Sequence, residues 1–290
     1  MPRQSRKHNI APAEQLELRI LPTVKVNFNP NNGLLKITGD NADNRVDVEG
    51  LGSPGNVEVF VDGNSVGQFA GLKNIKANLK GGDDLLVLEA FQIPGSITLK
   101  FGAGADELDM DNAATTVNEI IDIDGSLKAD LGNDPGDFVE LDDEIRILLD
   151  VTLLGVADID FDGDGTSRNP EPGDITFFSD LRIGFSGFGD TNGDLLEFDC
   201  DNLNVSGTTL LDGSNNAENI ELTDCRFQID FTADLNDGDD FINMNNGAAD
   251  SSRFLGAAIF NGGDDNDTFL KGADNSFLVP ETILNFETVV

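Results

Sequence analysis

Carboxylates at cation-binding spacing are the residues in this chain best placed to do chemistry. Asp160-Phe161-Asp162-Gly163-Asp164-Gly165, followed by five residues and Glu171, fits the pattern of an EF-hand calcium loop. In such a loop the acids at alternate positions converge on one centre. Here Asp160, Asp162 and Asp164 would do so, Gly165 makes the sharp turn, Thr166 offers its carbonyl, and Glu171 closes the site with two oxygens. Arg168 opposes a cation at the ninth position, and Pro170 and Pro172 forbid an ordinary exiting helix. The flanks read as strand, so the expectation is an EF-hand-like insertion near 158–173. The alternative is an Asp/Gly-rich loop with no specific metal.

A second set of acids recurs in turns. Asp84, Asp106, Asp137, Asp194, Glu218, Asp240 and Asp267 each close a Gly-, Asp- or Asn-rich stretch, with steps of 22, 31, 57, 24, 22 and 27 residues. The long step reads as two units, with Asp174 as a degenerate anchor. Stacked in neighbouring coils, such acids repel unless a cation or cross-strand hydrogen bonds compensate them. The candidate metal ligands here are Asp84, Asp106, Asp240, Asp264 and Asp267. The competing reading treats them as turn formers with solvated charges.

Composition removes most other chemistry. The 290 residues carry 54 acidic and 18 basic side chains, a net charge of −36. That charge repels phosphate backbones and anionic lipid, which argues against nucleic-acid and membrane-surface partners and favours cations. Nothing approaches the ~20 apolar residues of a spanning helix, so no membrane insertion is expected. The one histidine, His8, lies in the N-terminal segment, which removes imidazole catalysis from the body. Cys200 and Cys225 are too few for a thiolate zinc cluster and read either as one disulfide or as two buried thiols.

The elements that position the acids are strands. Ile75-Ala77-Leu79 runs into Gly81 to Asp84 and out through Leu86 and Leu88. Ile97-Leu99-Phe101 and Ile229-Phe231-Ala233-Leu235 enter similar turns, and Ile145 to Leu154 reads as a buried strand pair. Period-two alternation broken by tight turns, at a repeat in the twenties, predicts an all-β fold. The form expected is a single elongated parallel β-helix, or β-solenoid, taken as right-handed, with a β-sandwich as the alternative. Residues 24–290 should form roughly eleven coils, a rod about 50 Å long. Residues 1–23 read as a disordered basic leader.

Two resemblances bear on role. Gly262-Gly263-Asp264-Asp265-Asn266-Asp267-Thr268-Phe269-Leu270 resembles the calcium-binding nonapeptide of repeats-in-toxin (RTX) proteins, with Asp265 where that family has Gly. The copies here stand 22 or more residues apart rather than in succession, so the family's calcium sites do not carry over directly. Gln15-Leu16-Glu17-Leu18-Arg19-Ile20-Leu21-Pro22 is similar to the Leu-Glu-Pro-Arg-x-Leu-Leu motif that opens many large bacterial secreted and cell-surface proteins, although Leu18 and Pro22 depart from it. That resemblance implies a secreted or cell-surface protein whose leader takes part in sorting.

The expectation is therefore an exported, non-catalytic, calcium-binding structural or adhesive repeat module. Its partners would be calcium, with extracellular matrix, polysaccharide or other copies end to end. The alternative is a calcium-dependent polysaccharide lyase or glycoside hydrolase on the same fold. For that reading Arg146, Arg182, Arg226 and Arg253 are the basic candidates, against a plainer role as neutralisers of nearby acids.

Overall fold

Strand after strand in this chain hides every second side chain and ends at a turn, and the chain winds these strands into three parallel sheets. The computed structural model describes residues 24–111, 120–142, 144–163, 175–186, 196–245 and 251–290. The sheets hold eleven, twelve and eight strands, and the chain visits them in the same cyclic order in each coil. One coil runs Asn74–Gly81 in the first sheet, Leu85–Glu89 in the second and Gln92–Ile93 in the third. The fold is the all-β, parallel solenoid that the alternation predicts.

Inward positions stack in register and make one continuous core. In the first sheet Leu35, Ile75, Ile97, Leu127, Val151 and Leu181 fall on one line, all buried. In the third sheet Ile93, Ile123, Ile147, Phe177, Val205, Phe227 and Phe254 do the same. No coil buries its inward face alone, so stability comes from neighbour-to-neighbour stacking. Ile145–Ile147 and Val151–Val156 are the expected strand pair, joined by Leu148 and Leu149 on an exposed corner.

The N-terminal end departs from the repeat. Ten strands of the first sheet are parallel, one per coil; the eleventh, Lys25–Asn29, pairs antiparallel with Leu34–Thr38. A hairpin, Asn56–Val61 and Asn64–Ala70, continues the second sheet antiparallel from Arg45–Gly50. Its two-residue turn is Asp62-Gly63, both at positive φ, the conformation that hairpin twist demands. Together these strands cover the first coil and leave ten coils beside the eleven expected from length.

Close approach between coils explains the glycines. At Gly263 (φ 104°) an added Cβ would fall 1.3 Å from the Asn236 carbonyl oxygen of the previous coil. A side chain there would have to push two coils apart. Adjacent coils are also joined covalently, because Cys200 and Cys225, 25 residues apart, form a disulfide. The Cys200→Ser/Cys225→Ser double variant is expected to lose about 3.5 kcal/mol in denaturant unfolding, the loop-closure value for that separation. A loss near zero would mean that stacking alone fixes the two coils.

Candidate functional site

The turns from the first sheet into the second carry the acids, and they bring them together in a ladder. Asp84, Asp106 and Asp137 occupy equivalent positions in successive coils, as do Glu218, Asp240, Asp267 and Glu287. Apart from Glu218, each carboxylate accepts the backbone amide of its counterpart one coil earlier; Glu218 Oε1 instead accepts from Ser214 N and Oγ in its own turn, at 3.1 and 2.6 Å. Asn44 N donates to Asp84 Oδ1 at 2.9 Å, Asp84 N to Asp106 Oδ1 at 2.9 Å, and Asp106 N to Asp137 Oδ1 at 3.0 Å. In the second run Glu218 N donates to Asp240 Oδ1, Asp240 N to Asp267 Oδ1, and Asp267 N to Glu287 Oε2, each at 2.8 Å. Cross-strand hydrogen bonds thus take up one oxygen of each stacked acid except Glu218, where Ser214 does so.

The two runs are separated where the register places Ala157 and Leu196 at the ladder position. Register thus gives the two ladder positions after Asp137 to Ala157 and Leu196 rather than to Asp174 and Asp194. Asp174 and Asp194 themselves lie outside the described residues.

The second oxygen of the ladder acids is the unusual feature. Asp84, Asp106, Asp240 and Asp267 Oδ2 and Glu218 Oε2 are shielded from solvent and have no hydrogen-bond partner. A buried carboxylate without full compensation resists ionisation. Burial pushes Asp84 up to about 6, Asp106 up to about 7 and Asp137 up to about 6, with the neighbouring acids adding to the shift. Burial likewise raises Glu218, Asp240 and Asp267; the Asp240 charge adds to the rise of Glu218, and the Asp267 charge to that of Asp240.

A second acidic array covers the outer face of the twelve-stranded sheet. Asp109, Glu140, Asp160, Asp199 and Glu221 stand in one register line across five coils, about 4.8 Å apart along the rod. Asp199 is raised by burial and then by Glu221 and Asp160; Asp160 is raised by burial and by Asp162. Carboxylate oxygens of Glu107, Asp109 and Glu140 come within 4.8 Å of one another. Two oxygens bound to one calcium at 2.3–2.6 Å can lie that far apart.

The acids of the loop motif divide between strand and undescribed chain. Asp160 and Asp162 sit on the strand Asp158–Asp162, outward, with Asp160 between Glu140 and Asp199. Asp164, Thr166 and Glu171 lie outside the described residues. Asp264 is exposed on its turn and bridges in register to Asp237. Glu107, Asp109, Glu140 and Glu287 escape sequence reasoning, because only the coil-to-coil register reveals them. Strand alternation does put Glu107 and Asp109 on one face, but the step to Glu140 crosses a longer coil.

A groove of about 440 Å³ opens beside the N-terminal hairpin, lined by Pro54, Leu72, Ile93 and Pro94 with Lys73, Asp122 and Asp124 at its rim. The arginines named above are not in it. Most described acids are instead spread along the ladder edge and the outer face of the second sheet.

No family model, curated protein or solved structure matches this chain. Fold and sites therefore rest on the geometry above.

Proposed function

We propose that this chain is an exported, non-catalytic structural module of the cell surface, a rod whose acidic outer face binds calcium. The observation that carries the reading is the register line Asp109, Glu140, Asp160, Asp199 and Glu221, with Glu107 beside it. An ion held there would offset repulsion between neighbouring coils and so couple the stability of the rod to extracellular calcium. The Cys200–Cys225 disulfide supports an oxidising compartment. The RTX-like turns and the sorting-like motif at Gln15 to Pro22 agree with export. Acids distributed along the rod, rather than gathered with arginines in a cleft, favour this reading over a polysaccharide-active enzyme. Polysaccharide, matrix or other copies of the chain are the partners such a module would meet.

Calcium titration by calorimetry at pH 7.5 tests this. Saturable binding is expected, weakened about tenfold in Glu140→Gln, since one charged ligand is lost. Binding removed by Glu171→Gln and untouched by Glu140→Gln would move the ion to the loop. No binding at millimolar calcium would end the calcium reading.

A further inference from the structure

Partners account for three of the five arginines among the described residues. Arg45 lies 2.8 Å from Asp47, Arg182 lies 3.2 Å from Asp212, and the Arg146 guanidinium is 5.7 Å from the centre of the Phe178 ring. Arg226 and Arg253 differ. They stand opposite each other on the neighbouring parallel strands Arg226–Phe227 and Arg253–Phe254 of the third sheet. Phe227 and Phe254 are fully buried and stack with ring centres 5.1 Å apart. Alternation therefore turns both guanidiniums to the outer face, on backbones about 4.8 Å apart.

Among the described residues no acid forms an ion pair with either arginine. Both are half-buried, and Arg226 Nε is shielded from solvent without a hydrogen-bond partner. Their neighbours in register are uncharged, Thr176 and Asn204 on one side and Ser276 on the other. Like charges directly opposite on adjacent strands destabilise a sheet, and a buried donor without an acceptor adds to that cost. In a chain of net charge −36 an acidic side chain is the ordinary remedy. Among the described residues the register line supplies hydroxyls and an amide instead, which leaves room for an acceptor from outside.

We propose that Arg226 and Arg253 form an oxyanion-binding site, which takes a sulfate, phosphate or carboxylate group between the two guanidiniums. The planar fork of each arginine matches two oxygens of such a group. The rigid phenylalanine stack beneath fixes the spacing, and Ser276 and Asn204 extend a polar row along the rod for whatever carries the anion. The site is independent of calcium.

The test titrates sodium sulfate into the full chain in chelator, with ionic strength held constant by chloride, and follows heat and the unfolding midpoint. A second arm uses oligogalacturonate, which presents carboxylates on a polymer. Saturable sulfate binding is expected, weakened about tenfold or more in Arg226→Gln and in Arg253→Gln. Arg182→Gln, which removes an arginine already held by Asp212, should leave binding unchanged. Arg226→Lys keeps the charge without the fork; it should bind more weakly than the native chain and more tightly than Arg226→Gln. Tighter binding of oligogalacturonate through the same two arginines assigns the anion to a polymer, and sulfate binding alone assigns it to a free ion. Absence of saturable binding by both probes, or equal binding in both glutamine variants, overturns the site.

Discussion

Replacing Asp106 by Asn is expected to raise the stability of the rod at pH 8 and to flatten its dependence on pH. Asp106 sits between Asp84 and Asp137, accepts the Asp84 amide through Oδ1, and buries an Oδ2 that has no partner. Asn keeps the accepting oxygen and the shape, and replaces that Oδ2 with a donor that can reach a neighbouring carboxyl oxygen. An unfolded chain releases its carboxyl protons near pH 4, by the model-peptide values. The folded ladder holds them up to about 6 at Asp84 and Asp137 and about 7 at Asp106. Between those values the folded state binds more protons. The stability contributed by the ladder is therefore fully present below about pH 4 and lost as pH rises through 6 and 7.

Denaturant unfolding of the native chain in chelator should accordingly show falling stability from pH 5 to pH 8. Glu58, held down by Ser65 and Gln68, and Glu281, held down by Lys271, shift the other way, Glu58 on the surface and Glu281 part-buried. They are two against the six raised ladder acids. The Asn variant should gain on the order of 2 kcal/mol at pH 8 and little at pH 5. A variant less stable than the native chain at both pH values would contradict this account of the ladder. Asp106→Ala, which removes the acceptor for the Asp84 amide, should instead lose about 1–3 kcal/mol at pH 5.

The second large effect is expected from Phe254→Ala. Phe254 is fully buried and stacks on Phe277 at 4.8 Å and on Phe227 at 5.1 Å. Phe231 and Phe260 meet it edge-on at 5.2 and 5.7 Å. Such a truncation costs about 3–5 kcal/mol. Because each coil contacts mainly its neighbours, the damage should stay local. Hydrogen exchange should accelerate across Phe231 to Phe269, while the Leu35 to Phe101 coils keep their protection. Uniform acceleration along the rod would show that the coils unfold as one unit.

The solenoid was legible because its signal is repeated. Alternation such as Ile97-Leu99-Phe101 assigns a face, and the recurring acids assign the turn, so coils can be counted without contacts. The ladder acids Asp84, Asp106, Asp137, Glu218, Asp240 and Asp267 were visible by the same spacing. What they do was not, since an acid closing a glycine turn looks the same whether it faces a cation or the amide of the coil below. The N-terminal cover was missed although Asp62-Gly63 between two alternating runs carries a hairpin signal; a repeat reading has no place for antiparallel strands. Ala157 and Leu196 are invisible as ladder positions because neither is polar and the coil around them is long. The outer trio Glu107, Asp109 and Glu140 depends on register between coils of unequal length, which spacing alone does not give.

Thermal unfolding followed by far-ultraviolet circular dichroism, at pH 8 with calcium, with matched magnesium and with chelator, tests the calcium-bound rod most directly. The absence of Trp and Tyr makes fluorescence a poor probe of this chain. The account predicts a midpoint that rises with calcium, does not rise with magnesium, and shifts less in Glu140→Gln. Equal midpoints in all three solutions would contradict it and leave a rod held by its core, its disulfide and its carboxylate ladders alone.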